Sequence, residues 1–236
     1  MQREAALRYA SELAAHSARD AAVPLQQGLE AARTLAATLG ALKTSGNANR
    51  QAGHAILRTV LEQNPRFVGV WTGWEPNAFD ERDSDFADMA GHDATGRYVP
   101  YWNRGGANGS SALDPLTDYE KPGAGDYYQL PKSTGKATLL EPYAYQIGGK
   151  SVLITTLSVP IVIEGRFVGV AGVDITLNGI QDMVQAIRIY ENGYASLLSN
   201  QSIYVAAKDR SKIGKPADTS DGLSNDQLQT LRTAVR

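Results

Sequence analysis

Tyrosines and carboxylates crowd into residues 125–175 of the chain, at Gly125-Asp126-Tyr127-Tyr128, Leu140-Glu141-Pro142-Tyr143 and Val173-Asp174-Ile175. An aromatic face attracts a cation through its ring quadrupole, and a carboxylate pairs with the cation's N–H donors. The chemistry these residue types can do together is the reversible capture of a cationic small molecule. Trp74 with Glu75, and Tyr101 with Trp102, offer further aromatic and acidic groups for the same purpose. Trp71 and Trp74 stand three apart on a strand and face opposite sides, so one belongs to the core; Trp74 and Glu75 are the pair expected to close over a cation. Tyr127 and Tyr128 are adjacent, so in an extended segment no more than one of them lines a pocket.

Other chemistries find weaker footing. The glycines of Gly105–Gly109 lack the Lys-Ser/Thr ending of a phosphate loop. None of the serines sits in a nucleophile elbow. Asp80, Asp83, Asp85 and Asp88 lack the glycine and terminal glutamate of a calcium loop and read as a solvated acidic loop. His16, His54 and His92 are far apart in sequence, so neither metal nor cofactor is expected. A carboxylate pair, Glu141 with Asp174, leaves a hydrolase open as an alternative. Asp174 could also simply cap the helix that follows, and Tyr143 could be a packing residue.

The 236 residues include no cysteine, carry a net charge of −2 and are 42% hydrophobic. Those values exclude a disulfide scaffold and a zinc–thiolate site, and give no basic footprint for nucleic acid. They suit an exported protein. No run of about 18 apolar residues occurs, and residues 1–20 lack the apolar core of a signal peptide. If the native protein is membrane-bound, its spans lie outside this sequence.

The elements that must position these groups follow from period and punctuation. Residues 3–43 form a long Ala- and Leu-rich helix, with a kink or break expected near Val23 because of Pro24. A second helix over Asn49–Gln63 turns Ala52, Ile56 and Val60 inward and ends at Asn64-Pro65. Phe67–Trp74 and Tyr98–Trp102 read as strands, and Asp114–Gly125 as loop. Tyr127–Ser133 reads as a short helix. Lys136–Tyr145, Ser151–Ile163 and Phe167–Leu177 form a meander with turns at Gly148-Gly149 and Glu164-Gly165. A helix over Leu177–Ile189, a hairpin around Asn200-Gln201 and a last helix over Ser224–Val235 complete the chain. The fold class is α+β. Its expected division is a helical region (1–65), a sensing module (66–187) and the start of a smaller, incomplete module (188–236).

This order, together with Val68-Gly69-Val70-Trp71, Asp93-Ala94-Thr95-Gly96-Arg97, Tyr101-Trp102-Asn103, Asp126-Tyr127-Tyr128, Glu141-Pro142-Tyr143 and Phe167-Val168-Gly169-Val170-Ala171-Gly172-Val173-Asp174, resembles the double Cache sensor domain of bacterial chemoreceptors. The resemblance implies a PAS-like antiparallel sheet, a ligand held in the first module, a periplasmic location and a homodimer in the full receptor. It implies no enzyme. In amino-acid-binding members an Arg-x-Trp-Tyr element grips the ligand carboxylate. Here Gly125 stands where that arginine would be and Tyr127 where the tryptophan would be, while Tyr128, Tyr143 and Asp174 keep their places. The departure looks like the amine-sensing branch, which binds polyamines and biogenic amines. Arg104 or Lys132 could restore a carboxylate grip from elsewhere. The site expected from all this is Asp174, Tyr143, Tyr128, Tyr127, Glu141, Trp74, Glu75, Tyr101, Trp102 and Asp126.

Overall fold

The computed structural model describes residues 2–190, 193–218, 221–222, 224–226 and 229. The expected last helix, Ser224–Val235, lies largely outside the described residues. Helix α1 runs unbroken over Gln2–Thr44, with Pro24 inside it. The break expected there does not occur, because proline removes one backbone donor while the turns on either side keep their own bonds. Helix α2, Arg50–Gln63, starts where the Asn49 side chain accepts the Ala52 N–H and ends at Asn64.

A seven-stranded sheet carries the chemistry. Its strands are β1 (Phe67–Trp74), β2 (Pro100–Asn103), β3 (Ala112–Pro115), β4 (Thr138–Leu139), β5 (Tyr143–Ile147), β6 (Lys150–Ile163) and β7 (Arg166–Thr176). The spatial order is β3-β2-β1-β7-β6-β4, with β5 also paired to β6. Helix α3, Asp126–Thr134, follows a loop after β3. Two expectations need correction here. The strand expected over Lys136–Tyr145 is two short strands, since Pro142 interrupts the ladder. Strand β3 runs two residues into the segment read as loop, and its Pro115 sits at the sheet edge, where a missing N–H is tolerated.

The two sheet faces are dressed differently. A Cβ on Gly28 of α1 would lie 2.9 Å from both Leu157 and Ile175, so α1 packs hard on the β6–β7 half of one face. Helix α2 covers the β1–β2 half, where Tyr98 Oη donates to Arg50 O and Trp102 Nε1 donates to His54 Nδ1. Its buried stripe is Arg50, Gly53, Leu57 and Leu61 rather than Ala52, Ile56 and Val60. The helix is rotated because Arg50 must reach Asp80 and Asp83, at 2.6 Å each, under cover of Phe86. Two aspartates of the loop read as solvated therefore supply the acidic half of a buried ion-pair network.

The chain divides into two compact units, residues 26–140 with 144–176, and residues 1–25, 141–143 and 177–236. The first holds nearly all of the seven-stranded sheet. In the second, Ala21, Ile180, Val184 and Ala206 form a small apolar core, with α4 (Asn178–Ala186) facing the hairpin of β8 (Leu197–Leu198) and β9 (Tyr204–Ala206). Buried Gln181 fastens them by exchanging two hydrogen bonds with the Ala207 backbone.

Candidate functional site

Strand register builds the site. On the sheet face away from α1, Asn103, Gly69, Asp174 and Thr156 line up across β2, β1, β7 and β6. The next row on the same face is Tyr101, Trp71, Gly172 and Ser158, because side chains repeat every second residue. Asp174, only 2% exposed, lies in the middle of the sheet. Its Oδ1 accepts from Thr156 Oγ1 at 2.7 Å and from Trp71 Nε1 at 3.2 Å. Burial pushes its carboxyl above the usual range, and donors on Thr156, Trp71 and Tyr101 oppose that shift. Among the described residues no cationic side chain pairs with it. A buried carboxylate with hydrogen bonds but no counter-charge is costly unless something else supplies the charge.

Glycines make room for this arrangement. A Cβ on Gly69 would stand 2.6 Å from both Asp174 Oδ2 and Tyr101 Oη, and one on Gly172 would run into the Trp71 indole. The two glycines let the indole and the phenol lie down against the strands beside the carboxylate. Around them the rings of Trp71 and Tyr127 (5.2 Å between centroids), Tyr127 and Tyr145 (6.1 Å), and Tyr145 and Tyr101 (5.5 Å) meet edge to face. Four aromatic rings and one carboxylate thus share a face of the sheet. Tyr127 is held by its hydroxyl, which donates to Thr117 O.

Of the expected site residues, the structure brings Asp174, Tyr101 and Tyr127 together. It does not bring the others to this cluster. Trp74 is on the opposite face, edge to face with Phe79, since strand alternation separates it from Trp71. Trp102 is also on that face, against His54 and Arg58. Asp126 is spent in the first turn of α3, accepting from Gly123 N–H. Glu141 and Tyr143 belong to the second compact unit, where Glu141 Oε2 is buried with no partner among the described residues.

Glu75 and Tyr128 belong to a separate network centred on Arg97. That guanidinium donates to Trp74 O, to Glu120 Oε1 (2.5 Å), to Tyr128 Oη (2.8 Å) and to Glu75 Oε1 (3.1 Å). It also lies 4.8 Å from the centre of the Tyr119 ring. Burial disfavours the Glu75 carboxylate, yet the bonds from Lys132 and Tyr128 prevail and hold its pKa below the usual value. The turn before Arg97 explains its placement, because Asp93 Oδ1 accepts from the N–H groups of Thr95 and Arg97. The network clamps α3 to the end of β1.

Trp71, Thr156, Tyr145 and Ser158 share this face without being among the expected site residues. The signal for Thr156 and Ser158 was available only through register with Gly172-Val173-Asp174. His54 and His92, far apart in sequence, adjoin on the α2 face at 5.9 Å. Burial, then His92 and Arg50, hold the His54 imidazole at about 4, so it is neutral at ordinary pH.

Among the described residues, no helix is long and apolar enough to cross a membrane. Residues 54–182 match the family of methyl-accepting chemotaxis protein-like first PDC sensor domains. The chain is 28% identical over 192 residues to the methyl-accepting chemotaxis protein TlpQ of Pseudomonas aeruginosa, covering 75% of this chain and 27% of TlpQ. It therefore spans about a quarter of that relative's length. The extracellular domain of the putative histidine kinase mmHK1S-Z2 superposes with a TM-score of 0.85 at 34% identity, covering 98% of this chain and 83% of that one. Methyl-accepting chemotaxis protein X gives a TM-score of 0.82 at 28% identity, over 98% and 85%. The sheet, the long helix and the matched segment agree: the chain belongs to the methyl-accepting chemotaxis protein-like PDC sensor family, an extracytoplasmic, non-enzymatic ligand-sensing domain.

Proposed function

We propose that this domain binds small organic amines, polyamines or biogenic amines, for a transmembrane chemoreceptor, and that residues 66–187 form the binding module. The observation that carries the reading is Asp174: a buried carboxylate, bonded by Thr156 and Trp71, flanked by aromatic rings and lacking a cation of its own among the described residues. A ligand ammonium supplies that charge. Each ring face adds on the order of 0.5–2 kcal/mol as it is desolvated.

The carboxylate end of an amino acid finds no comparable welcome. Gly125 is the residue before α3, and a Cβ there would run into Asp118 O and lie 2.7 Å from Tyr119 O. The two cations that could replace an arginine at that point are engaged. Arg104 donates to the carbonyls of Leu61, Asn64 and Phe67, and Lys132 pairs with Glu75 at 2.8 Å. An amine without a carboxylate fits these partners better.

Binding is reversible capture without chemistry. Ligand would shift the sheet against α1, and only a ligand with unequal affinity for two arrangements can do so. In the full receptor two copies would pair and pass the change through the membrane. A thermal-shift screen over amines and amino acids tests the reading. Amines should raise Tm by several degrees at concentrations far above Kd. Hits confined to amino acids would contradict it.

A further inference from the structure

Ser158 is a fully buried residue whose hydroxyl has no hydrogen-bond partner among the described residues. Such groups are rare, because burying a hydroxyl unpaired costs what a hydrogen bond would return. Ser158 faces the same side of β6 as Thr156, two residues along an unbroken stretch of the β6–β7 ladder. Thr156 Oγ1 touches Asp174 Oδ1 at 2.7 Å. Strand rise therefore sets Ser158 about 6–7 Å from the carboxylate row, on the row that carries Tyr101, Trp71 and Gly172. That row contains no carboxylate. Leu157, between the two polar residues, points the other way into α1 against Gly28.

We propose that Ser158 forms the far end of the ligand site. The amine it selects carries an uncharged hydrogen-bonding group one strand repeat from its ammonium. The inference rests on the amine reading above and narrows it: Asp174 takes the cation, the rings take the spacer and Ser158 takes a hydroxyl, amide or neutral ring nitrogen. A second ammonium would meet a neutral hydroxyl and no carboxylate on that row, where a desolvated charge is poorly repaid. The site therefore favours amines with a neutral polar tail over α,ω-diamines.

Three probes with a common ammonium isolate the far end: 4-aminobutan-1-ol, pentylamine and putrescine, which end in a hydroxyl, a methyl and a second ammonium. Their four-carbon spacer matches the separation. By calorimetric titration the amino alcohol should bind the wild-type chain roughly tenfold tighter than pentylamine, the worth of a neutral hydrogen bond at the upper end of its range. Ser158→Ala should erase that advantage while leaving pentylamine within about twofold, since one lost hydrogen bond accounts for the whole difference. The variant should also melt no lower than wild type, because it no longer buries an unpaired hydroxyl. An advantage that survives in Ser158→Ala, tightest binding by putrescine, or a large fall in Tm from a hydroxyl bonded within the fold would each overturn the inference. Failure of the amine reading itself reads differently. None of the three probes would then bind wild type, and the inference would fall with it.

Discussion

Asp174→Asn should abolish amine binding while the protein stays folded. Asparagine has the same shape, its carbonyl oxygen can still accept from Thr156 and Trp71, and the Tyr101 hydroxyl can turn to accept from the new amide. What disappears is the charge. Removing one partner of a desolvated ion pair costs roughly 2–5 kcal/mol, about 30- to several-thousand-fold in affinity. The unliganded variant should melt no lower than wild type, since it no longer buries an uncompensated carboxylate. The pH dependence has a definite sign. Burial raises the Asp174 pKa in the fold, so the folded protein takes up this proton before the unfolded chain does. Through this group alone, acidification favours the unliganded fold, while ammonium affinity falls as pH drops through the raised value. Both dependences should vanish in Asp174→Asn. Unchanged affinity in the folded variant would remove Asp174 from the site.

Arg97→Met should bring the largest loss of stability. The guanidinium is 4% exposed and serves Glu75, Glu120, Tyr128 and the Trp74 carbonyl together. Breaking a buried ion pair by removing one partner costs about 3–5 kcal/mol. For a chain of this size that corresponds to a fall in Tm on the order of 10 °C. Lysine should not rescue it, because a point charge cannot satisfy a fork of donors spread over four partners. Tyr128 is the α3 residue that Arg97 holds, and its neighbour Tyr127 packs on Trp71. Amine affinity should therefore weaken in whatever fraction of the variant stays folded. A melting temperature within about 2 °C of wild type, an interval that corresponds to about 1 kcal/mol or less, would show that Glu75 and Lys132 suffice to hold α3 without Arg97.

Local pattern made the elements legible. Aromatic and β-branched residues marked Phe67–Trp74, and the observed strand has those bounds. The meander and its turns followed from Gly148-Gly149 and Glu164-Gly165. Face assignment was another matter. Alternation separates Trp71 from Trp74, but it does not say which of the two faces Asp174; that depends on β1 pairing with β7 so that Gly69 meets Asp174. The same long-range pairing hid Thr156 and Ser158. Tyr128 and Glu75 carried the right chemistry for a cation, and they do surround one. It is Arg97, a cation of the chain itself, 22 residues from Glu75. Charge at a distance also misled the reading of α2, whose apolar pattern points Ala52, Ile56 and Val60 inward. The buried Arg50–Asp80–Asp83 cluster outweighs that pattern and turns the helix by about one residue.

The central claim is that the site takes the ammonium of an amine and gives no grip to a carboxylate. Calorimetric titration of the wild-type chain with matched pairs, histamine against histidine and putrescine against ornithine, tests it most directly. Each pair shares its amino groups and differs by one carboxylate. The account predicts that the decarboxylated member of each pair binds more tightly, by roughly tenfold or more, because a carboxylate near Asp174 adds repulsion and finds no arginine. Tighter binding of the amino acid in both pairs would contradict it.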